Sequence, residues 1–301
     1  MSASPPHIGT QNRPLLGIAL MLLADLLLSS MDGVAKWVMA NHTVAQMMFV
    51  RGLFVALLMM PAIARSGGFR ALRTRRPWGH ALRAGLAVLA ILSFFGALRD
   101  LPLATVVAIS FGAPLFMTAL SVPVLREHVG PHRWGAIAVG LVGVLVIVRP
   151  GAEGALTGAA LLALVSSVFF AGSMVTVRWL ARTETDLVLM FWQNTGMVVV
   201  LGLVAAFDWR PMSWNDLALI GVMAILILAG QWCTIRAFRV APVGVVAPFQ
   251  YGELLWATLI GWFVWAELPG AHVWWGAAIV AASGLYVIWR EGRHARKKAV
   301  D

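Results

Sequence analysis

The chain is a succession of apolar runs, most of them about 20 residues long, separated by short connections that carry Pro, Gly and Arg. About 20 apolar residues is the length a helix needs to cross roughly 30 Å of hydrocarbon. Cut on that measure, the pattern predicts ten helices, at 15–38, 44–63, 81–98, 104–125, 134–148, 155–180, 187–207, 214–236, 243–265 and 272–289. Pro77, Pro102, Pro131, Pro150-Gly151, Pro211, Pro242 and Pro269-Gly270 fall in the proposed connections, where residues that interrupt the helical ladder belong. Composition agrees, since the chain is 60% hydrophobic and 12% charged, about half the charge of a soluble domain. The expected fold class is therefore all-α integral membrane, with lipid as the solvent.

A second periodicity is much longer. The stretch from Ala97 to Arg149 recurs from Ala237 to Arg290, pairing Ala97, Arg99, Pro102, Gly112, Thr118, Glu127 and Gly130 with Ala237, Arg239, Pro242, Gly252, Thr258, Glu267 and Gly270. After one inserted residue, Trp134-Gly135 meets Trp275-Gly276 and Arg149 meets Arg290; a weaker echo sets Gly17 against Gly158 and Met48-Phe49 against Met190-Phe191. Units of this length and apolarity point to a duplicated membrane bundle rather than a solenoid. The expected organisation is a first five-helix repeat over 15–148 and a second over 155–289, flanked by tails 1–14 and 290–301. Five is odd, so the second copy enters the membrane from the opposite side, an inverted repeat around a central cavity.

The formal charge of +10 would suit nucleic acid if it formed one stripe, but the basic residues lie in short loops, where they set orientation. With the N-terminus cytoplasmic, the inner segments hold eighteen: Arg13, Arg65, Arg70, Arg73, Arg75, Arg76, Arg83, Arg126, Arg133, Arg178, Arg182, Arg236, Arg239, Arg290, Arg293, Arg296, Lys297 and Lys298. The outer loops hold three, Arg99, Arg149 and Arg210, and Lys36 and Arg51 lie within helices. The reading is a multi-pass protein of a bacterial inner membrane with both tails inside, bound to the bilayer and not to nucleic acid. The first apolar run contains Asp25 and Asp32, so it reads as a spanning helix rather than a cleaved signal. Asn41-His42-Thr43 matches a glycosylation triplet that arises often by chance, and Cys233, alone in an apolar stretch, reads as a small core residue.

Ser30-Met31-Asp32-Gly33-Val34-Ala35-Lys36-Trp37, Phe49-Val50-Arg51, Pro114-Leu115-Phe116 with Leu125-Arg126-Glu127, and Ala247-Pro248-Phe249-Gln250-Tyr251 with Glu267-Leu268-Pro269 resemble the ten-helix EamA-type carriers of the drug/metabolite transporter superfamily. The resemblance covers nearly the whole chain. It implies a basket of helices around a central cavity, with the last helix of each half a scaffold or contact face. Members include amino-acid exporters and carriers of riboflavin or S-adenosylmethionine, so it implies a solute class no narrower than small organic metabolites.

Charges inside the spans carry the chemistry, because an unpaired ion in hydrocarbon costs several kcal/mol. At 100° per residue Asp25, Asp32 and Lys36 lie within about 40° of one another, on one stripe of the first helix. Arg51 lies roughly 10 Å inside the second helix, at a depth similar to Asp32. Asp32, Lys36 and Arg51 are expected to form a compensated network between helices one and two; Asp25 is nearer the midplane, with no basic residue one turn away. Glu253, near the middle of the ninth helix, faces Ala113 in the repeat alignment. A carboxyl group placed there breaks the symmetry at a costly position, and it could bind a proton or a cationic group of a solute.

Gln250, Tyr251 and Trp256 flank Glu253; Trp192, Gln193 and Asn194 on helix seven, and Gln231, Trp232 and Thr234 on helix eight, are further candidates, since polar groups in a span face the interior. Each also suits interhelical hydrogen bonding, and the Trp residues also suit an interfacial belt. Ser93, Phe94 and Phe95 with Ser110 and Phe111 could complete an aromatic pocket. Gly135, Gly140, Gly143, Gly276 and Gly284 give smooth faces for helix packing or a homodimer, and Glu127 and Glu267 read as braces of equivalent turns.

No phosphate loop, H-E-x-x-H, G-x-S-x-G or Cys/His metal spacing occurs in the sequence, so neither an enzyme, a cofactor, a metal site nor ATP-driven pumping is expected. The reading is a secondary transporter of a small organic metabolite, such as an amino acid or a vitamin- or nucleoside-like solute, working by alternating access between two rocking halves with proton or counter-solute coupling. The alternative is a channel, which saturating flux with countertransport would separate from a carrier. The charge count makes its own test. A C-terminal alkaline phosphatase fusion, active only outside the cytoplasm, should be silent, and strong activity would overturn the topology.

Overall fold

The computed structural model describes residues 13–125, 130–148, 158–241 and 243–298. Helices α1 (Pro14–Val38), α2 (Val44–Arg65) and α3 (Pro77–Leu98) are followed by a divided span, α4 (Leu103–Ser110) and α5 (Ala113–Leu125), and by α6 (Pro131–Val148). The second half supplies α7 (Gly158–Leu180), α8 (Asp186–Ala205), α9 (Trp214–Val240), a second divided span made of α10 (Val243–Val246), a 3-10 segment (Ala247–Gly252) and α11 (Glu253–Trp265), and α12 (Ala271–Lys298). Among the described residues these make up ten membrane helices of an all-α fold with two inverted halves.

The helix ends follow from local chemistry. Thr43 caps α2 by accepting the amide of Gln46, Thr185 caps α8, and Ser213 and Asp216 form a reciprocal capping box on α9. Thr43, the third residue of the glycosylation triplet, therefore has a structural task. Pro77 and Pro131, expected in connections, instead open α3 and α6, because the first helical turn needs no amide donor and a fixed φ suits it. Pro150-Gly151 and Pro242 lie outside the described residues, as do Arg126 and Glu127.

Two spans expected to be continuous are broken. In the fourth, the helix stops at Ser110 and restarts at Ala113; Pro114 has no amide and its ring crowds the carbonyl of residue 110. In the ninth, Pro248 opens a 3-10 segment that runs to Gly252. The prolines are not equivalent in the repeat, but the breaks are, since Gly112 pairs with Gly252.

The halves interleave instead of standing as two blocks. α1 packs along α9 and α11, while α7 packs along α3 and against α4 and α5. The first span of each half is thus held by the third and fourth spans of the other, and α2 pairs with α8 and α6 with α12. We call the side where α1 begins and α12 ends the tail side, and the side of the α1–α2 turn the far side. In the far half α4 packs on α11; beyond the breaks their continuations take different neighbours, α5 against α7 and α6, the 3-10 segment and α10 against α1, α9 and α12.

The glycine faces expected to serve packing or dimerisation are occupied within the chain. A Cβ on Gly143 would meet Gly276 O and Val280 Cγ2 at 2.8 Å, one on Gly140 would meet Ser283 Oγ at 2.7 Å, and one on Gly284 would overlap the Tyr251 hydroxyl. Gly135, by contrast, faces open space. Gly143→Ala should therefore cost about 1–3 kcal/mol through overpacking against backbone, whereas Gly85→Ala, which meets nothing within 4 Å, should be neutral or gain up to about 1 kcal/mol. Thermal unfolding of the two purified variants in detergent checks this, and equal shifts would sink the close-packing account.

Candidate functional site

The site is built on the stripe of α1 that α11 covers. Asp25, Ser29, Asp32 and Lys36 recur at the spacing of one helical face, and α11 runs beside them in the same direction. At the midplane the break in the ninth span brings backbone close to α1: a Cβ on Gly252 would stand 3.3 Å from Asp25 Oδ2 and 3.1 Å from Leu22. Ser29 Oγ donates to the Glu253 carbonyl at 3.3 Å. One turn further out Gly33 admits Ile260, and at the far side Lys36 meets the turn after α11.

Glu253, expected in mid-helix, is the first residue of α11. Its amide is taken up by the carbonyls of Gln250 and Tyr251, so the 3-10 segment leads directly into α11. Glu253 interacts electrostatically with both Asp25 and Asp32. Asp25 is buried, and its Oδ2 has no hydrogen-bond partner. Three carboxyl groups thus gather along the contact of α1 with the start of α11. The cation facing them is Arg51 of α2, which interacts with Asp32 and donates to Met31 Sδ at 3.6 Å.

Lys36 departs from the network expected for it. Its ammonium lies 2.6 Å from Glu267 Oε2, donates to Leu101 O at 3.4 Å and sits 5.2 Å from the Trp265 ring centre. Glu267, expected to brace its own turn, is aimed by that turn at α1 instead. Ala266 adopts φ 54, and the Glu267 amide closes back on Gly261 O at 3.0 Å, a left-handed helix ending normally given to glycine. Holding alanine there costs of order 1 kcal/mol. The sequence hid this pairing, because the partners are separated by 231 positions and only the break and turn of the ninth span align them.

The remaining candidates separate into groups. Tyr251 is half-buried and meets Phe111 edge-on, with ring centres 5.1 Å apart; the two are equivalent in the repeat, so the two breaks touch. Trp256 is half-buried, with a buried Nε1 that has no partner. Phe95 is in the main core beside Phe94, and the Ser110 hydroxyl is taken up by Val106 O. Gln250 and Gln231 are exposed, and Gln193 is half-buried. Trp192 lies away from the carboxyl groups, its Nε1 donating to Leu72 O at 2.9 Å on the tail side, and Asn194 ties α8 to Gly52 O; both act as ties between α8 and the first half. Trp232 and Thr234 bond near their own helix, to Arg236 and Gly230.

Two further groups were not anticipated. Arg83, counted among loop residues, is buried in α3 and donates to Leu189 O at 2.7 Å. Beyond the site on the far side, His42 meets Asp216 at 3.1 Å and Gln46 Nε2 donates to Arg210 O at 2.6 Å. Neither carried a sequence signal beyond being polar in or beside an apolar run. Among the described residues no group of acidic, His and Cys side chains could hold a metal ion.

An inverted repeat with paired helix breaks at mid-membrane, and ionisable groups gathered there, defines a multi-pass membrane transporter. The sequence profile of the EamA-like transporter family matches residues 15–149 and again 157–290, and the chain belongs to that family, within the drug/metabolite transporter superfamily. It is similar to a riboflavin transporter of Vibrio cholerae, 30% identical over 303 residues, covering 96% of this chain and 98% of that one. A riboflavin transporter of Rhizobium johnstonii is 28% identical over 295 residues, 96% of each chain. An S-adenosylmethionine uptake transporter of Rickettsia bellii is 27% identical over 283 residues, covering 94% of this chain and 97% of that one. A solved crystal structure shares the fold at a TM-score of 0.59 and 18% identity, over 91% of this chain and 98% of that one. The chain is a small-metabolite transporter and not an enzyme.

The far-side pair predicts a specific coupling. Lys36→Gln and Glu267→Gln should each destabilise the protein, and the double variant should recover roughly 1 kcal/mol or more of the summed loss. Lys36→Gln with Asp32→Asn should show no such recovery. Thermal unfolding of the two cycles distinguishes the Glu267 pairing from the Asp32 pairing, and additivity in the first cycle would reject it.

Proposed function

We propose that the chain carries a small heteroaromatic metabolite of the flavin or nucleoside kind by alternating access, with a proton or a cationic group of the solute held at Asp25 and Glu253. The observation that carries this reading is the buried Asp25 carboxyl, whose free oxygen faces the break at Gly252 and Glu253. A buried polar atom without a partner costs free energy unless something fills the place, and the 3-10 segment packed beside it is irregular backbone of the kind secondary transporters place at the midplane. The aromatic side of the reading rests on Tyr251, Phe111 and Trp256 around the same break, and on the solutes named for the relatives. Riboflavin and S-adenosylmethionine each carry a fused heteroaromatic ring system, and they differ in charge.

The moving bodies are the interleaved groups, α1 with α9 and α11 on one side and α7 with α3, α4 and α5 on the other. They open alternately around the Phe111–Tyr251 contact in a bacterial inner membrane, with both tails cytoplasmic. Solute binding is tested by thermal stabilisation against a panel containing riboflavin, S-adenosylmethionine, nucleosides and amino acids, where a ligand at 100 times its Kd adds about 2.7 kcal/mol. Stabilisation by amino acids alone would reject the heteroaromatic class. In proteoliposomes, Glu253→Gln and Asp25→Asn should leave a folded protein that transports at least tenfold more slowly or loses its pH dependence. Parental rates in both variants from pH 5 to 8 would remove these residues from the mechanism.

A further inference from the structure

Away from the central site, α6 and α12 enclose on the tail side a groove of about 430 Å³ lined by Pro131, His132, Gly135, Val139, Ser283 and Tyr286. Its depth is apolar, and Gly135 opens it: a Cβ at that position would meet nothing within 4 Å. From Pro131 to Val139 the wall rises about 12 Å along α6, so the groove runs into the membrane rather than across its surface.

The mouth is polar and basic. The Tyr286 hydroxyl lies 3.3 Å from His132 Nδ1 and accepts from Arg290 at 3.3 Å. α12 is 28 residues long, about 42 Å, well beyond the roughly 30 Å of hydrocarbon. Its last turns therefore emerge at headgroup level, and from Arg290 onward the sequence carries Arg290, Arg293, Arg296, Lys297 and Lys298 against the single acid Glu291 before the terminal Asp301. An apolar slot between two spans, closed at the headgroup level by a guanidinium, a phenol and an imidazole, matches one acyl chain below one phosphate. Basic clusters next to a span attract anionic headgroups at about 1 kcal/mol per residue.

We propose that this groove is a binding site for an anionic phospholipid, which completes the α6–α12 seam at the tail side. The occupant is a lipid and not free phosphate, because the apolar slot is the larger part of the site and phosphate would leave it unfilled. The lipid seats an acyl chain against Gly135 and Val139 and its phosphate beside Arg290.

Native mass spectrometry of the protein released from nanodiscs of equimolar phosphatidylglycerol and phosphatidylcholine tests this. The expected result is retained phosphatidylglycerol in preference to phosphatidylcholine, with Arg290→Gln weakening retention roughly fivefold and Gly135→Leu, which fills the slot, abolishing it. Both positions are peripheral, so each variant should unfold at the parental temperature in phosphatidylcholine alone, which separates loss of the site from loss of the fold. Equal retention of the two lipids overturns the proposal, as does undiminished retention in Gly135→Leu. Displacement of the lipid by inorganic phosphate alone would show a headgroup site with no acyl seat and would also overturn it.

Discussion

A charge placed in hydrocarbon must be answered by protein, and the position of α1 between α9 and α11 is the answer this chain gives. Among the described residues Asp25, Asp32, Lys36, Arg51 and Glu253 gather around α1, while His80 and Arg83 are buried in α3. None can be turned to lipid without a cost of several kcal/mol. That requirement fixes the rotation of α1 about its axis. Small residues then fix its distance: Gly17 lies against Ala241, and Gly230 receives Leu28 beside the Ala24 carbonyl. Close approach of this kind drives helix association in lipid, where apolar burial has little to offer.

The same geometry explains why the repeat is broken where it is. Phe111 and Tyr251 are equivalent positions and touch, so the pseudo-twofold axis passes between them. The residues two further on, Ala113 and Glu253, flank that axis. Replacing alanine by glutamate at one of two related positions puts a carboxyl group almost on the axis but on one side of it. The first spans show the same one-sidedness, because the offset that pairs Gly17 with Gly158 pairs Asp25 with Ser166 and Asp32 with Ser173, both serines buried. The backbone is shared by the two halves, and the charge is not.

Hydropathy and the internal echo made the ten spans and the inverted halves legible, because span length and repeat spacing are one-dimensional properties. The stripe of Asp25, Asp32 and Lys36 was legible for the same reason. The breaks were not. Pro114 and Pro248 are visible in the sequence, but a proline in a membrane helix is compatible with a continuous kinked helix when neighbours satisfy the freed carbonyls. The interleaving of first spans was equally hidden, since nothing in a repeat says which copy's helix packs on which. The partner of Lys36 followed from both. Once α11 starts at the break and ends in the left-handed turn at Ala266, Glu267 rather than Asp32 is the carboxylate within reach. Trp192 looked like a pocket residue because its type and depth suit one, and only the location of the 68–72 turn assigns its Nε1 to a backbone carbonyl.

The seams of the bundle differ in how firmly they are held. α2, α8 and the turns beside them are tied at three depths, by Gln46 to Arg210 in the turn after α8, Asn194 to Gly52 and Trp192 to Leu72 in the turn before α3. The α4–α11 seam packs within the shared apolar core, with the aromatic pair at its inner end. In lipid such a seam separates cheaply, but letting water into it exposes apolar surface at about 25 cal/mol per Å². A carrier must recover that cost from an interaction stronger in the opened or occluded state than in the starting one, because a ligand shifts an equilibrium only by its differential affinity. The carboxyl groups of Asp25 and Glu253 lie at the inner end of this seam and nowhere along the tied one. The apolar seam therefore ends at the described cluster of mid-membrane acids, and the tied seam does not.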